Sequence, residues 1–90
     1  MMRLKVERQG EGLHPNEAVV AVNTKDGPVM MVVDATIIFP DDTVVIGWPV
    51  ARDQNAAQYL VELPRETENG AWRVWVPEKE LRDDDERKRA

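Results

Sequence analysis

Short apolar runs separated by turn dipeptides are the feature that most limits how this chain can fold. Asp26-Gly27 and Asn69-Gly70 are typical of tight hairpin turns, because Asp, Asn and Gly tolerate the positive φ that such turns need. Valine-rich runs at residues 18–22 and 29–33 flank the first of these turns. The pattern predicts a β-hairpin over residues 18–33.

Three further runs have the alternation or the composition of strands. Leu4 and Val6 alternate with charged residues, which is typical of a half-buried strand. Residues 43–48 are β-branched and apolar, and Pro49 indicates that this strand ends there or lies at a sheet edge. Residues 72–76 alternate with a period of two and predict a strand near the end of the chain.

The chain between residues 51 and 63 allows two interpretations. Asp53 is a good cap for a helix of one or two turns. The run Tyr59-Leu60-Val61-Glu62-Leu63 instead favours a strand. We expect a loop followed by a strand, with the short helix as the alternative.

The last residues combine a helix start with a strongly charged composition. Pro77 suits the first position of a helix, and several acidic residues are followed four positions later by basic ones, which also favours a helix. Leu81 is the apolar residue that can anchor this segment to a core. We expect one docked helical turn around Leu81 and then a frayed, charged tail. The predicted organisation is a single domain over residues 1–82 and a flexible tail over residues 83–90.

These elements place the chain in the all-β class. Five or six short strands separated by turns, in a chain of 90 residues, are typical of a small sandwich or barrel. A small antiparallel barrel is the simpler way for so short a chain to hide its sheet edges. We therefore expect a barrel of five or six antiparallel strands.

Three segments resemble the YodC-like family of small bacterial proteins. The turn and strand Asp26-Gly27-Pro28-Val29-Met30 resemble the opening hairpin of that family, and Val44 to Trp48 resembles its next strand. The segment Val76-Pro77-Glu78-Lys79-Glu80-Leu81 resembles its closing segment, so the resemblance spans roughly residues 17–81. It implies an SH3-like barrel in a bacterial protein, and it implies no activity, because the family is functionally uncharacterised.

The residue inventory argues against most kinds of catalysis. The chain has no serine and no cysteine, so the usual side-chain nucleophiles are missing, and His14 is its single histidine. Zinc sites use clusters of Cys and His, which a lone histidine cannot supply. Carboxylate chemistry stays open, but it needs two acids about 5–10 Å apart in a cleft. We expect no enzymatic activity, no metal site and no cofactor.

Charge and hydropathy limit the partners and the cellular location that we expect for the protein. The formal net charge is −5, and an acidic chain is on average a poor binder of phosphate backbones. The first residues alternate charge and apolarity, so they lack the apolar run of about 7–15 residues of a signal peptide. We expect a cytoplasmic protein that binds neither nucleic acid nor membrane directly.

Aromatic residues are the strongest candidates for a functional surface. In the predicted strand over residues 72–76, Trp72 shares a face with the valines and Trp75 shares the other face with Arg73. Exposed Trp and Tyr beside Arg are typical of binding hot spots. We predict a binding site for a protein, or for an extended peptide added to a sheet edge, at Trp75, Tyr59, Arg73 and Trp48. The alternative is that Trp48 and Trp72 are core residues and that Trp75 covers a barrel end or packs on the tail.

The leading hypothesis is therefore a non-enzymatic protein-interaction module. A second hypothesis is an acidic inhibitor that mimics nucleic-acid charge and blocks the basic cleft of a DNA- or RNA-binding enzyme. Self-association as a homo-oligomer, through an edge strand or an exposed aromatic residue, is a further prediction. The acids that would carry the mimicry are Asp41, Asp42, Glu62, Glu66, Glu68 and residues 83–86.

Overall fold

The computed structural model describes residues 2–83, and most of these residues lie in strands. The prediction of an all-β fold is therefore confirmed. Two 3-10 turns, Ala35–Ile37 and Glu78–Glu80, complete the regular structure of the described residues. The nine strands of that part of the chain are β1 (Met2–Lys5), β2 (Glu7–Glu11), β3 (Glu17–Thr24), β4 (Gly27–Asp34), β5 (Thr43–Ile46), β6 (Ala51–Asp53), β7 (Gln58–Glu62), β8 (Arg73–Pro77) and β9 (Leu81–Asp83).

The strands form three small antiparallel sheets. Their strand orders are β5-β1-β9, β2-β3-β4 and β6-β7-β8. Val6 alone separates β1 from β2, so one short stretch of chain enters two sheets. The amide of Val6 donates to the carbonyl of Asp42 at 2.9 Å, which satisfies the backbone at this change of sheet.

The hairpin predicted over residues 18–33 is confirmed and is slightly longer than expected. β3 and β4 pair without interruption from Glu17 opposite Asp34 to Thr24 opposite Gly27. Gly27 has a φ of 108°, which is a conformation that favours glycine. The hydroxyl of Thr24 accepts the amide of Asp26 at 3.2 Å and so stabilises the turn.

One apolar cluster lies between the three sheets. Strands of every sheet contribute to it, because alternate residues of each strand point inward. The nine side chains that are most completely buried are Leu4, Val6, Val20, Val22, Met31, Val33, Val44, Val61 and Val76.

The segment from residue 51 to 63 is a hairpin, so the expected strand is present and the helix alternative is wrong. β6 and β7 pair from Ala51 opposite Leu60 to Asp53 opposite Gln58. The carboxylate of Asp53 accepts the amides of Asn55 and Ala56 at 3.1 and 3.3 Å. Asp53 therefore caps a turn, which a short polar side chain does as readily as it caps a helix.

The end of the described chain differs from the prediction. A helical turn is present, but it occupies Glu78–Glu80, and Leu81 begins a strand instead of sitting within the turn. In β9, Leu81 pairs with Leu4 of β1. Pairing with the distant strand β1 therefore outweighs the local propensity of this segment for a helix. Of the predicted tail over residues 83–90, Asp83 pairs with Met2, and the other residues lie outside the described part of the chain.

A buried arginine joins β1 to the segment before β5. Arg3 is only 6% exposed, and its guanidinium lies 4.8 Å from the centre of the Phe39 ring. Its Nη1 donates to Thr43 Oγ1 at 3.2 Å and lies 3.4 Å from Asp41 Oδ1. Thr43 Oγ1 in turn donates to Asp41 Oδ1 at 2.7 Å. The charge of Arg3 is therefore compensated inside a polar cluster at the edge of the core.

Asp34 fixes the chain where it leaves β4. Its carboxylate accepts the backbone amide of Thr36 at 2.9 Å and the hydroxyl of the same residue at 2.8 Å. These two hydrogen bonds, the backbone one first, hold the pKa of Asp34 below its ordinary value. The carboxylate thus stabilises the 3-10 turn that follows the strand.

Replacing Arg3 by Met tests the polar cluster. Arg3→Met keeps an apolar stem but leaves the Asp41 carboxylate and the Thr43 hydroxyl without this donor. We expect a loss of about 1–2 kcal/mol in the free energy of unfolding, since Asp41 remains partly solvated. Urea unfolding followed by circular dichroism measures it. Arg8→Met on exposed β2 is the control and should change stability by less than about 0.5 kcal/mol; equal losses in both variants would contradict the role of the cluster.

Two glycines near each other in sequence should respond differently to alanine. A Cβ on Gly12 would lie 2.5 Å from the Cβ of Glu17, whereas no described atom lies within 4 Å of the same position on Gly10. We expect Gly12→Ala to lower the free energy of unfolding by about 1–3 kcal/mol through this overlap. Gly10→Ala should leave it unchanged or slightly raised. The urea midpoints of the two variants measure the difference. A Gly12→Ala protein as stable as the unmodified protein would contradict the predicted overlap.

Candidate functional site

The register of β7 and β8 separates two of the predicted site residues. Leu60 lies opposite Trp75, and Tyr59 lies opposite Val76. Because neighbouring side chains of a strand point to opposite faces, Tyr59 shares the inner face with buried Val76, and Trp75 points to the outer face. The structure therefore does not bring Tyr59 and Trp75 together in one groove.

Trp75 and Arg73 share a surface beside the turn of the β3–β4 hairpin. Trp75 is half-buried, and its carbonyl accepts the amide of Lys25 at 2.9 Å. Its side chain lines a small cavity of about 240 Å³ together with Val29 and Arg73. Arg73 Nε lies 3.1 Å from Glu62 Oε2 on the neighbouring strand. Trp75 thus lies where the turn of the β3–β4 hairpin meets the third sheet.

Tyr59 and Trp48, in contrast, line the same groove. This groove measures about 440 Å³ and lies where the ends of two sheets meet. We call it the Trp48 groove. Its lining residues are Met2 of β1, Trp48 and Pro49 after β5, Tyr59 of β7, Glu78 of the second 3-10 turn, and Leu81 and Asp83 of β9.

Trp48 and Trp72 are exposed, so the alternative that placed both in the core is wrong. Trp48 is 62% exposed and Trp72 is 49% exposed. Both lie just outside strands, because β5 ends at Ile46 and β8 begins at Arg73. The strand alternation that would bury them therefore does not extend to either residue. Trp72 instead lies against the guanidinium of Arg73, whose central carbon is 5.3 Å from the ring centre.

The Trp48 groove has an apolar floor and an acidic rim. Met2, Tyr59 and Leu81 are half-buried and pack against the core cluster. Glu78 is exposed, and its amide donates to the carbonyl of Ala57 at 3.0 Å, which fixes the backbone beneath its side chain. Asp83 lies within β9. The exposed carboxylate of Glu78 gives this rim of the groove a negative charge.

Arg52 is a basic residue that lies close to the groove without lining it. Arg52 of β6 lies opposite Tyr59 in the sheet, and its guanidinium carbon is 5.4 Å from the centre of the Tyr59 ring. This geometry is a cation–π contact. The ring of Tyr59 therefore already interacts with a positive charge.

Sequence reasoning found the two aromatic residues of the groove and missed most of the others. Met2, Leu81 and Asp83 reach it because β9 pairs with β1. That pairing joins opposite ends of the chain, and local patterns carry no signal for it. Pro49 is the residue that the sequence marks as a strand end, and Glu78 directly follows Pro77, the predicted helix start, but neither pattern predicts that these residues line a groove.

Two larger cavities lack this combination of groups. One, of about 570 Å³, follows β4 and is lined by Met30, Val32 and the segment 65–68. That segment already caps the strand edge, since the amide of Glu68 donates to the carbonyl of Met30 at 2.8 Å. The other, of about 540 Å³, is lined mainly by apolar side chains, among them Ile37, Phe39 and Val45. It offers shape and apolar area but little polar selectivity.

Several acids proposed to mimic nucleic-acid charge already have partners. Asp41 lies in the Arg3 cluster, and Glu62 lies 3.1 Å from Arg73. Each pairing reduces the negative charge that the residue presents to a partner. Glu66 and Glu68 lie beside Arg65 in the cavity along β4.

Two general features of the described residues bear on function. Residues 2–83 contain no group of three or more His, Asp and Glu side chains that could hold a metal ion. Within the same residues, no helix is long and apolar enough to cross a membrane.

Comparison of the chain with protein-family models, with curated proteins and with solved structures found no match. The resemblance to the YodC-like family therefore stays a prediction. The case for a function depends on the geometry of the chain itself.

Fluorescence quenching can check the positions of the three tryptophans. We expect acrylamide to quench a Trp75→Phe protein more strongly than the unmodified protein, because Trp48 and Trp72 are the exposed emitters. Trp48→Phe should have the opposite effect. In high urea all proteins should be quenched alike, which controls for intrinsic differences. Stronger quenching of Trp48→Phe than of the unmodified protein would contradict the exposure of Trp48.

Proposed function

We propose that this chain is a small SH3-like barrel that acts as a non-enzymatic protein-interaction module and binds an extended peptide segment of its partner at the Trp48 groove. The observation that carries the proposal is the 62% exposure of Trp48 beside the half-buried ring of Tyr59. Tryptophan and tyrosine dominate binding hot spots, because each contributes a large, rigid surface.

Sheet connections support the barrel part of the proposal. β1 and β2 join the first sheet to the second through Val6, and the bond from Lys25 to Trp75 joins the second sheet to the third. The amide of Val50 also donates to the carbonyl of Leu60 at 2.9 Å, which ties the chain leaving β5 to the third sheet. Strands that pass from one sheet to another at a bend form the corners of barrel-like β folds.

The composition of the groove supports a binding role. Its floor is apolar and rests on the core, so it is held in place before a partner arrives. Its rim carries charged groups, which give orientation and selectivity. A preformed floor with a polar rim is the usual anatomy of a recognition site.

The size of the groove supports a peptide as the occupant. A stable interface between two folded proteins buries about 800 Å² on each partner and uses about 20–30 residues a side. Seven of the described residues line the Trp48 groove. An extended segment that places one or two side chains in an aromatic groove is a recurrent mode of recognition on this scale.

Selection from a library of random dodecamer peptides displayed on phage tests the proposal. We expect enriched peptides whose affinity falls at least tenfold in Trp48→Ala, which is the loss typical of a hot-spot residue. The melting temperature of the variant should stay close to that of the unmodified protein, because most of the Trp48 side chain is already in water.

Trp72→Ala is the matched control, since it removes an exposed tryptophan from a surface outside the groove. The enriched peptides should bind this variant normally. A selection that enriches no peptide, or peptides that bind equally well to the unmodified protein and to Trp48→Ala, would refute the proposed site.

A further inference from the structure

We infer that the Trp48 groove selects a positively charged side chain, Lys or Arg, within the peptide segment that it binds. This inference rests on the proposed function and adds the chemistry of the partner to it. It follows from three features of the groove: the sign of its charges, the kind of aromatic surface that it exposes, and the position of Arg52.

The side-chain charge that the described lining residues expose at the rim is negative. Glu78 is exposed there, and none of the described lining residues is basic. The backbone of Glu78 is held in place, because its amide donates to the carbonyl of Ala57. A cation in the groove would gain from the Glu78 carboxylate, whereas an acidic side chain would be repelled by it.

The aromatic residues also favour a positively charged ligand. The faces of Trp and Tyr rings attract cations through their quadrupole, and Trp does so most strongly. Tyr59 already engages the guanidinium of Arg52 at 5.4 Å. Trp48, which lines the same groove, offers its largely exposed ring to an incoming cation.

Arg52 allows a sharper test of the inference, because its charge has the same sign as that of the expected ligand. It lies beside Tyr59 but outside the lining of the groove. Its guanidinium should therefore weaken the binding of a second cation nearby. Removing the charge of Arg52 and removing the charge of Glu78 should consequently change the affinity in opposite directions.

The library selection gives the first readout. We expect Lys or Arg to be enriched at one position of the peptides that depend on Trp48. The most enriched dodecamer is then synthesised with that residue and with norleucine, which keeps the aliphatic chain and lacks the charge. Isothermal titration should show affinity at least fivefold weaker for the norleucine peptide.

Two variants with neutral, similarly shaped side chains give the second readout. We expect Glu78→Gln to weaken binding of the charged peptide about two- to fivefold and Arg52→Gln to strengthen it by a similar factor, which is the range of exposed charge pairs. Neither should alter the affinity of the norleucine peptide. Raising the salt concentration should weaken only the charged peptide.

The outcomes separate this inference from the proposed function. Peptides that depend on Trp48 but contain no preferred Lys or Arg would overturn the inference and leave the binding site intact. So would equal affinities of the charged and norleucine peptides, or shifts of the same sign in Glu78→Gln and Arg52→Gln. Peptides that ignore Trp48→Ala would instead overturn the proposed function.

Discussion

The change of sheet at Val6 is the constraint on which the rest of the fold depends. Each sheet has only three short strands, which is the smallest number that makes a sheet independently stable, and then only when its hydrophobic face is buried. Leu4 in β1 belongs to the first sheet, while Val6 leads directly into the second, and both side chains are completely buried. Since the same few residues enter two sheets, the sheets must pack on a common core instead of forming separate layers.

That shared core also determines where a groove can form. β1 lies in the middle of its sheet, with β5 on one side and β9 on the other. The chain leaves β5 towards Trp48, and β9 carries Leu81, so both approach β7 from the first sheet. The Trp48 groove is thus a consequence of how two sheets end beside each other. Its aromatic residues lie at the point where strand pairing stops and side chains become accessible.

Local patterns predicted much of the fold and, of the described lining of the groove, its two aromatic residues. The hairpin of β3 and β4 follows from its valines and its Asp-Gly turn, and the all-β class follows from repeated signals of that kind. The pairing of β9 with β1 could not be predicted, because the charges after Leu81 favour a helix locally and the competing contact is distant in sequence. The face of the sheet on which Tyr59 and Trp75 each lie likewise depends on the register of β7 and β8, which only tertiary packing determines.

The groove and the fold share residues, which links binding to stability. Met2, Tyr59 and Leu81 line the groove and also pack on the core cluster, and Leu81 holds β9 against β1. A ligand that fills the groove contacts a surface that exists only when this pairing is formed. It therefore binds the folded state alone and stabilises that state by mass action. In so small a domain, where the core is limited, the strand that sequence patterns did not predict thus contributes both to the stability of the protein and to the formation of its candidate binding site.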